Sequence, residues 1–329
     1  MKALQLGILS VSGFFQKKIA IPVAKSPMIE LAAIASRSQQ KADAAAKEYN
    51  IRKAFGSYEA LLDDQEVEAV YIPLPNHMHA EFIRKAADAG KHIICEKPIA
   101  LNAREAEESI TYAQNKGVRI MEAFMYRFHP QWQHARELIR MKEIGKVHLV
   151  QVFFSYNNTD PKNIRNREDA GGGALLDIGC YAVSSSRFLM NAEPKRVVSV
   201  AQNDPDFKTD ILMSGMMDFG GSHAEFTIGT QTFPFQRVTA FGSGGNISIE
   251  IPFNTPSDVE TRMWVTNSVG TREVIFAPED HYILEFEAFA RAIKEGTEVP
   301  TPPADAIANM KVLDALRESA ISGNWQAIG

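Results

Sequence analysis

Short apolar runs alternate with helical patterns from Lys2 to about Glu122, and this alternation constrains the fold more than any other feature of the chain. Parallel strands need a crossover connection, usually a helix, so consecutive units of this kind predict a parallel sheet with helices on both faces. Gly90 and Gly117 follow two of the helical patterns, as C-terminal stop signals do. The strand-like runs are 4–9, 30–35, 69–72, 92–95 and 118–121, and the helical patterns are 39–49, 79–89 and 103–116. The sequence therefore predicts a doubly wound, dinucleotide-binding Rossmann domain over residues 1–122.

The pattern changes after Glu122. One helical pattern covers 131–141 and another, introduced by glycines, covers 174–189, while strand-like runs make up most of the rest and helices return at the end. The strand-like runs are 147–156, 197–201, 212–219, 224–228, 238–242, 247–251 and 274–276. They favour an α/β domain with a large, mainly antiparallel open sheet over residues 123–329, with roles in substrate binding and oligomerisation. An open sheet often finds cover in a second subunit, so we expect a homodimer or homotetramer formed through this sheet.

The length of 329 residues favours two domains over one core. The formal net charge is only −5 and no basic run is present to neutralise phosphates, which argues against a nucleic-acid partner. No apolar stretch approaches the ~20 residues that span a bilayer, and no signal-peptide pattern follows Met1. Cys95 and Cys180 match neither a disulfide framework nor a metal-ligand cluster, so the expected location is a reducing cytoplasm.

A lysine lies directly after a predicted strand in the segment Glu96-Lys97-Pro98. The apolar run before it ends there, because a proline has no backbone donor for a central strand. Ligands of open α/β sheets bind outside the carboxyl ends of the strands, so Lys97 is a candidate site residue. The alternative is a solvated surface charge, which most lysines are.

The segment after the first strand lies where a dinucleotide domain cradles a pyrophosphate on a helix N-terminus. Ser10 and Ser12 occupy the places of the first two glycines of that fingerprint, and Phe15 lies near the third. Small hydroxylated residues still permit close approach of the backbone. The candidate coenzyme-binding residues here are Ser10, Ser12, Gly13, Phe14 and Phe15, although the same residues fit an ordinary strand and turn equally well.

Ser36-Arg37-Ser38 follows the second predicted strand, where an acidic residue would bind the adenosine ribose of NAD. No carboxylate is present there to repel a 2′-phosphate, and a guanidinium is suited to stack on adenine and to pair with that phosphate. We therefore prefer NADP over NAD, with Ser36 and Arg37 at its adenosine end. In the alternative, Ser38 caps the next helix and Arg37 points to water.

Two prolines follow the third predicted strand and force an extended loop across its end. Pro73, Leu74, Asn76 and His79 are candidates for lining the coenzyme from this loop. His77 and His79 have no third ligand close by in sequence, so we expect no metal site.

A glycine run at 171–173 opens the helical pattern that contains Asp177 and Tyr181. Four residues correspond to about one helical turn, so the carboxylate and the phenol lie on one face of the helix. The alternative is a core tyrosine anchored by a nearby aspartate.

Together these residues resemble the Gfo/Idh/MocA family, which includes glucose-fructose oxidoreductase, inositol dehydrogenase and rhizopine-catabolism proteins. The resemblance covers nearly the whole chain and rests on Glu96-Lys97-Pro98, on the junction segment 121–130 and on the glycine run through Tyr181. Many members carry histidine where this chain has Tyr181. The tyrosine, with Asn-Ile-Arg at 163–165, resembles the branch of glucose-fructose oxidoreductase, dimeric dihydrodiol dehydrogenase and NADP-dependent D-xylose 1-dehydrogenase.

The resemblance implies a Rossmann domain, an α/β domain with an open sheet, and a substrate pocket between them in which Lys97 and Tyr181 converge. It implies an NAD(P)-dependent dehydrogenase that oxidises a sugar at its anomeric carbon to a lactone. Tyr181 would take the hydroxyl proton, Lys97 would favour the phenolate, and Asp177 would hold Lys97 or bind a sugar hydroxyl. Glu96 and Lys97 would also line the coenzyme, and Arg127, Arg165 and Asp177 would contact the substrate.

Two other functions stay open. The same hydride step can act on a trans-dihydrodiol or a dicarbonyl, and a protein of this fold can be a non-catalytic nucleotide-binding regulator, since fold does not fix function.

The chain also departs from the family pattern at Ser10, Ser12 and Phe15, where glycine-type residues are usual. Phe15 has the bulk to crowd the pyrophosphate.

Overall fold

The computed structural model describes residues 2–329. Over those residues the strands are β1 Leu4–Leu9, β2 Ile29–Ala35, β3 Lys53–Phe55, β4 Ala69–Ile72, β5 His92–Glu96, β6 Ile120–Ala123, β7 Val147–Asn157, β8 Arg196–Asn203, β9 Asp210–Asp218, β10 His223–Gly229, β11 Gln231–Gly242, β12 Gly245–Ile249, β13 Thr261–Asn267, β14 Gly270–Phe276 and β15 Gln326–Ala327. The α-helices over the same residues are α1 Ala20–Val23, α2 Gln39–Glu48, α3 Tyr58–Leu62, α4 His79–Asp88, α5 Ala103–Asn115, α6 Pro130–Arg140, α7 Cys180–Met190, α8 His281–Glu295 and α9 Pro303–Ser322.

These elements form two compact units. The first contains the segment that ends at Met125 together with Tyr282–Ile307, and the second contains Tyr126–His281 together with Ala308–Gly329. The sequence prediction divides the chain once, after Glu122, and leaves α8 in the second domain. The two divisions differ because an amphipathic helical pattern does not say which sheet the helix will cover. The substrate-binding and oligomerisation roles of the second domain stay predictions.

The first unit contains a sheet with the order β3-β2-β1-β4-β5-β6, which is six-stranded over the described residues. Every neighbouring pair of its strands is parallel. All residues of β1 and β4 are buried, as expected where helices cover both faces of a sheet. The chain order reverses between β1 and β4, and ligands of such sheets bind at that switch point. The predicted doubly wound Rossmann domain is confirmed.

Side-chain caps and glycines set the helix ends of this unit. Ser38 and Asn102 cap α2 and α5 by accepting a hydrogen bond from the backbone N–H three residues further on. Gly90 and Gly117, just after α4 and α5, have φ of +70° and +75°, a left-handed backbone that glycine adopts without strain. The predicted stop signals are confirmed.

Helix α8 belongs to the first unit through apolar and charged contacts. The ring of Phe286 lies edge-on to Tyr71 of β4, with 5.0 Å between ring centroids. Lys294 Nζ lies 2.7 Å from a carboxylate oxygen of Glu68, the residue just before β4. A helix that is distant in sequence therefore completes the core beside β4.

The second unit contains a sheet with the order β14-β13-β12-β11-β7-β10-β9-β8-β15, nine-stranded over the described residues. Strands β7 and β10 are parallel, and the other neighbouring pairs are antiparallel. Val150, Val152 and Phe154 of β7 are buried whereas Gln151 is exposed, so one face of the sheet is covered and the other is open. On the covered face, Phe154 meets the ring of Tyr181 from α7 at 5.9 Å. The predicted large, mainly antiparallel open sheet is confirmed.

Three features are absent from residues 2–329. None of their helices combines the length and the apolar character that crossing a bilayer requires. No three or more of their His, Cys, Asp and Glu side chains gather closely enough to hold a metal ion. Within the same range, Cys95 and Cys180 are both buried and neither forms a disulfide.

A buried histidine stands at the start of α6. The Nδ1 atom of His129 accepts a hydrogen bond from the backbone N–H of Gln131 at 3.2 Å, which caps the helix. The His129 side chain is 0% exposed, and its Nε2 has no hydrogen-bond partner among residues 2–329. Because burial disfavours the imidazolium, it lowers the pKa of His129 to about 4.

We predict that His129→Asn flattens the pH dependence of stability on the acid side. Between an unfolded pKa of 6.5 and the folded value of about 4, the unfolded chain binds a proton that the folded chain refuses. The contribution of the neutral His129 to the free energy of unfolding is therefore complete above pH 6.5. It falls by up to roughly 3 kcal/mol as the pH drops toward 4. Asparagine keeps an acceptor at the cap but does not titrate. Thermal unfolding midpoints from pH 4 to pH 7 should fall less steeply in the variant than in the wild type.

The control for this experiment is His148→Asn, which changes an exposed histidine of β7. It should leave the pH profile unchanged. Equal slopes for His129→Asn and the wild type would contradict the buried, neutral state of His129.

Candidate active site

The carboxyl ends of β1, β2, β4 and β5 open on one edge of the first unit's parallel sheet. The predicted coenzyme-binding segments follow these four ends, with Ser10 after β1, Ser36 after β2, Pro73 after β4 and Lys97 after β5. Strand direction therefore gathers, at the switch point, residues that are far apart in the sequence.

The turn after β1 contains a backbone conformation that favours glycine. Ser10 has a φ of +148°, a conformation that L residues rarely adopt. Ser12 Oγ accepts a hydrogen bond from Phe15 N at 3.1 Å and so caps the helical segment that follows. A Cβ at Gly13 would meet no described atom within 4 Å, so open space lies beside the helix start. The turn thus offers backbone donors and room together, which fits a pyrophosphate.

The two phenylalanines of this segment point into the first unit. Phe15 is 0% exposed and its ring lies edge-on to Tyr49 at 5.9 Å. The ring of Phe14 lies edge-on to Tyr282 at 5.8 Å. The bulk of Phe15 therefore fills the core rather than the turn, because the residue's place on the helix directs its side chain inward. The part of Phe15 that contacts the turn is its backbone N–H, which donates to Ser12 Oγ.

The end of β2 carries hydroxyls and a cation. Ser36 is buried, and its Oγ accepts a hydrogen bond from Ser38 N at 3.3 Å. Ser38 caps α2, so that part of the alternative reading is correct. Arg37 is exposed and makes no ion pair within residues 2–329. Its guanidinium therefore has no carboxylate to displace before it meets an anion.

The loop after β4 is fixed by a histidine. Pro73 and Leu74 are buried, and Asn76 begins a short 3₁₀ turn that leads into α4. His79 is 0% exposed; its Nε2 lies 2.8 Å from Leu74 O and its Nδ1 lies 2.8 Å from Pro98 O. Burial lowers the pKa of His79 below its usual value, and the two carbonyls offset only part of that effect.

The loop after β5, which carries Lys97, is held by acidic side chains. The hydroxyl of Tyr71 donates to Glu96 Oε1 at 2.6 Å, and Ile99 N donates to Glu122 Oε1 at 2.8 Å. Burial and the adjacent Glu96 charge raise the pKa of Tyr71 well above its usual value, so this phenol stays a donor. Lys97 itself is half-buried, and the Lys97-Pro98 peptide is cis. The hydrogen bonds of Glu96 and Ile99 hold the loop on both sides of the lysine.

In the second unit, one carboxylate oxygen receives two donors. Asp177 Oδ2 accepts hydrogen bonds from Tyr156 at 2.6 Å and from Arg165 Nε at 3.0 Å. Asp177 lies in a π-helical turn, Leu175–Gly179, just before α7, and is 9% exposed. The Asp177 charge raises the pKa of Arg165, while burial and then the same charge raise the pKa of Tyr156. The group is thus a carboxylate held between a guanidinium and a neutral phenol.

Tyr156 is a candidate site residue that the sequence analysis did not name, because there it is only the last residue of the predicted strand 147–156. The signal was the period-2 pattern of β7, which puts Tyr156 on the same face as Val152 and Phe154. Its place at the strand end, facing the helix that carries Asp177, is not visible in a single sequence.

Tyr181 is 6% exposed and lies among aromatic rings of the second unit. Its ring is 5.1 Å from Phe253, 5.9 Å from Phe154 and 6.0 Å from Tyr126. These contacts fix the plane of the phenol and hence the direction of its hydroxyl.

Arg127, a predicted substrate contact, lies in the interior of the second unit. One guanidinium nitrogen donates to Ser184 Oγ at 2.7 Å, and the group lies over the Phe188 ring at 5.5 Å. Arg165 is the more exposed of the two predicted substrate arginines.

Sequence comparisons identify both parts of the chain. Residues 5–124 match the model of an oxidoreductase family with an NAD-binding Rossmann fold, and residues 132–248 match the GFO/IDH/MocA C-terminal domain. The protein is thus an NAD(P)-dependent oxidoreductase. It belongs to the Gfo/Idh/MocA family, and the predicted family, enzyme class and nicotinamide coenzyme are confirmed.

Its relatives share this chemistry but differ in substrate. The chain is 38% identical to a D-xylose 1-dehydrogenase (NADP(+)) of Haloferax volcanii, over 97% of the chain and 98% of that protein. It is 32% identical to the trans-1,2-dihydrobenzene-1,2-diol dehydrogenase of Xenopus tropicalis, over 81% of the chain and 78% of the relative. A 3-ketoreductase from Actinomadura kijaniata, solved with NADP and TDP-benzene, has a TM-score of 0.91 at 26% identity, covering 96% of this chain and 98% of the other. The roles of the individual site residues stay predictions.

We predict that Ser10→Gly stabilises the protein by about 1 kcal/mol, because glycine removes the strain of the positive φ while its extra chain entropy offsets part of the gain. Urea unfolding of the apoprotein measures the difference. Ser10→Ala is the matched control, since it removes the same hydroxyl but keeps the Cβ. If Ser10→Gly is no more stable than Ser10→Ala, the backbone at this turn is not strained.

Proposed function

We propose that this protein is an aldose 1-dehydrogenase that acts on D-xylose-like sugars and prefers NADP. The observation that carries the proposal is the 38% identity to a D-xylose 1-dehydrogenase (NADP(+)) over nearly the full length of both chains. The presence of both Lys97 and Tyr181, each on a segment fixed by its surroundings, supports catalysis over a purely regulatory role.

A bound oxidised nicotinamide would supply the acceptor for the hydride that leaves the anomeric carbon of the sugar. Tyr181 takes the proton of the anomeric hydroxyl, and the product is a lactone. A free tyrosine has a pKa of ~10, and an ammonium such as that of Lys97 favours the phenolate. Asp177, held by Tyr156 and Arg165, accepts a hydrogen bond from a second sugar hydroxyl in this proposal, and its two contacts support that role by fixing the carboxylate.

The NADP preference rests on the end of β2. The segment Ser36-Arg37-Ser38 brings no carboxylate that would bind the ribose diol of NAD or repel a 2′-phosphate. Arg37 is exposed and has no ion-pair partner within residues 2–329, so its charge is available to that phosphate. The H. volcanii relative is itself named for NADP.

A diol or dicarbonyl oxidoreductase is the second candidate. The 32% identity to a dihydrobenzenediol dehydrogenase favours it, although over a smaller share of the chain than the xylose relative. Both candidates use the same coenzyme and the same proton-transfer pair, so the substrate alone separates them.

A homodimer or homotetramer through the open face of the second unit is part of the proposal. Val200, Met216 and Phe235 on that face are 68%, 36% and 46% exposed. They border a shallow depression of about 720 Å³ whose other walls include Phe153 and Arg237. An apolar patch of this kind is typical of a surface that a partner covers.

We predict that D-xylose reduces NADP faster than NAD, and that Lys97→Met and Tyr181→Phe each lower kcat by about 10²- to 10⁴-fold because both act on the proton transfer. Absorbance of the reduced nicotinamide measures the rates across aldoses, including D-glucose, and trans-dihydrodiols.

Lys116→Met and Tyr112→Phe are the matched controls, since both change surface residues of the α5 region that pair with Asp88. They should keep wild-type rates. Faster turnover of a diol would favour the second candidate, and coenzyme binding without turnover of any substrate would favour a regulator. Near-normal kcat in both site variants would make the catalytic assignment wrong.

We predict that Val200→Glu and Phe235→Glu convert the oligomer to a monomer, because an unpaired charge in an apolar interface costs several kcal/mol. Light scattering coupled to size-exclusion chromatography measures the mass. Val269→Glu is the control, since Val269 is 94% exposed in the turn between β13 and β14. A wild-type monomer, or variants that keep the wild-type mass, would contradict the proposed interface.

A further inference from the structure

His79 connects two loops that leave neighbouring strands of the parallel sheet. Its Nε2 lies 2.8 Å from the carbonyl oxygen of Leu74, in the loop after β4, and its Nδ1 lies 2.8 Å from that of Pro98, in the loop after β5. The two carbonyls belong to residues 24 positions apart, while the ring that joins them is 0% exposed. The imidazole is therefore a cross-link between the loops.

Neither ring nitrogen of His79 is directed at a ligand, because each already lies at hydrogen-bond distance from a backbone oxygen. Both neighbours are acceptors, so a neutral ring donates to one of them and a protonated ring to both. The contact with Pro98 has the more direct consequence, since Pro98 is the next residue after Lys97. A bond to the Pro98 carbonyl restrains the Pro98–Ile99 peptide, and the proline residue joins that peptide directly to Lys97.

Two further bonds hold the same loop. Tyr71 holds Glu96 on one side of Lys97, and Glu122 holds Ile99 on the other. Ile99 N and Pro98 O belong to one peptide, so the Glu122 bond restrains its N–H end and the His79 ring lies at its carbonyl end. In the Nδ1–H tautomer, the His79 ring donates a hydrogen bond to that carbonyl.

We propose that His79 is a positioning residue for the reaction: its Nδ1–H donates to Pro98 O and so sets the place of Lys97, without touching the coenzyme. This differs from the coenzyme contact predicted from the sequence. It rests on the proposed function only in that Lys97 assists the chemical step, whichever substrate is oxidised. The consequence is an effect on kcat rather than on coenzyme affinity.

Substituting His79 by asparagine or by glutamine tests its contacts with Pro98 O and Leu74 O separately. The amide nitrogen of His79→Asn can take the place of Nδ1 and donate to Pro98 O, whereas that of His79→Gln can take the place of Nε2 and donate to Leu74 O. We expect His79→Asn to keep kcat within about threefold and His79→Gln to lose roughly 10- to 100-fold, since small misplacements of a catalytic group have effects of that size. Binding of NADPH, followed by its fluorescence, should change by less than about threefold in both variants.

A double-variant comparison excludes a merely structural role. In a Lys97→Met background, His79→Gln should lower kcat no further, because the residue acts through the lysine. An equal additional loss in that background would overturn the proposal. So would weaker NADPH binding with an unchanged kcat, which would make His79 a coenzyme contact.

Hydrogen exchange tests the positioning without any substrate. In this loop, Ile99 N–H donates to Glu122 and Leu101 N–H donates to Glu105. Exchange in a peptide that covers residues 96–101 therefore reports how well the loop is ordered. The peptide should exchange faster in His79→Gln than in the wild type and at the wild-type rate in His79→Asn. Equal protection in all three proteins would overturn the proposal. Failure of the aldose assignment would instead appear only in the substrate panel, with the exchange pattern intact.

Discussion

All neighbouring strands of the first sheet are parallel, and this constraint determines where the chain can place its chemistry. Parallel strands end at the same edge, and the reversal of order between β1 and β4 opens a crevice there. The loops that begin at Ser10, Ser36, Pro73 and Lys97 meet at that edge although no sequence motif connects them. Backbone direction thus brings together the predicted phosphate turn, the predicted adenosine site and a cationic side chain before any side-chain contact is considered.

The loop of Lys97 shows how that placement becomes rigid. A typical hydrogen bond contributes about 1 kcal/mol net, but a buried acceptor left without its donor costs more than that. The bonds from Tyr71 to Glu96 and from Ile99 to Glu122 are of this second kind, since these carboxylates are half-buried or fully buried. Each is therefore costly to break, and the loop between them is preorganised. A catalytic lysine benefits from such preorganisation, because no reorganisation has to accompany the reaction.

Sequence reasoning succeeded for strands that are apolar and buried along their whole length, and it failed for a short strand, for local helix geometry and for contacts between distant segments. The bounds of β1 and β4 were predicted as found, because both strands are apolar throughout and buried on both faces. No strand was predicted at Lys53–Phe55, whose three residues are all only half-buried and too few to show a period. The π-helical turn at Leu175–Gly179 was read as ordinary helix, since a one-residue widening leaves no mark on composition. The assignment of α8 to the first unit depends on the tertiary contact between Phe286 and Tyr71, which a single sequence does not show.

A similar distinction applies to the predicted site residues. The predicted coenzyme-binding segments of the first unit follow strand ends, so they could be named from the sequence, whereas the inward direction of the Phe15 ring could not. In the second unit, Arg165 and Asp177 meet Tyr156 across a strand, a loop and a helix, and a single sequence does not show such a meeting. The relatives are named for a sugar and for a diol, while the family model that matches the first part of this chain describes an NAD-binding Rossmann fold. In the proposed function, the two donors on Asp177 Oδ2 fix the carboxylate beside which the substrate binds.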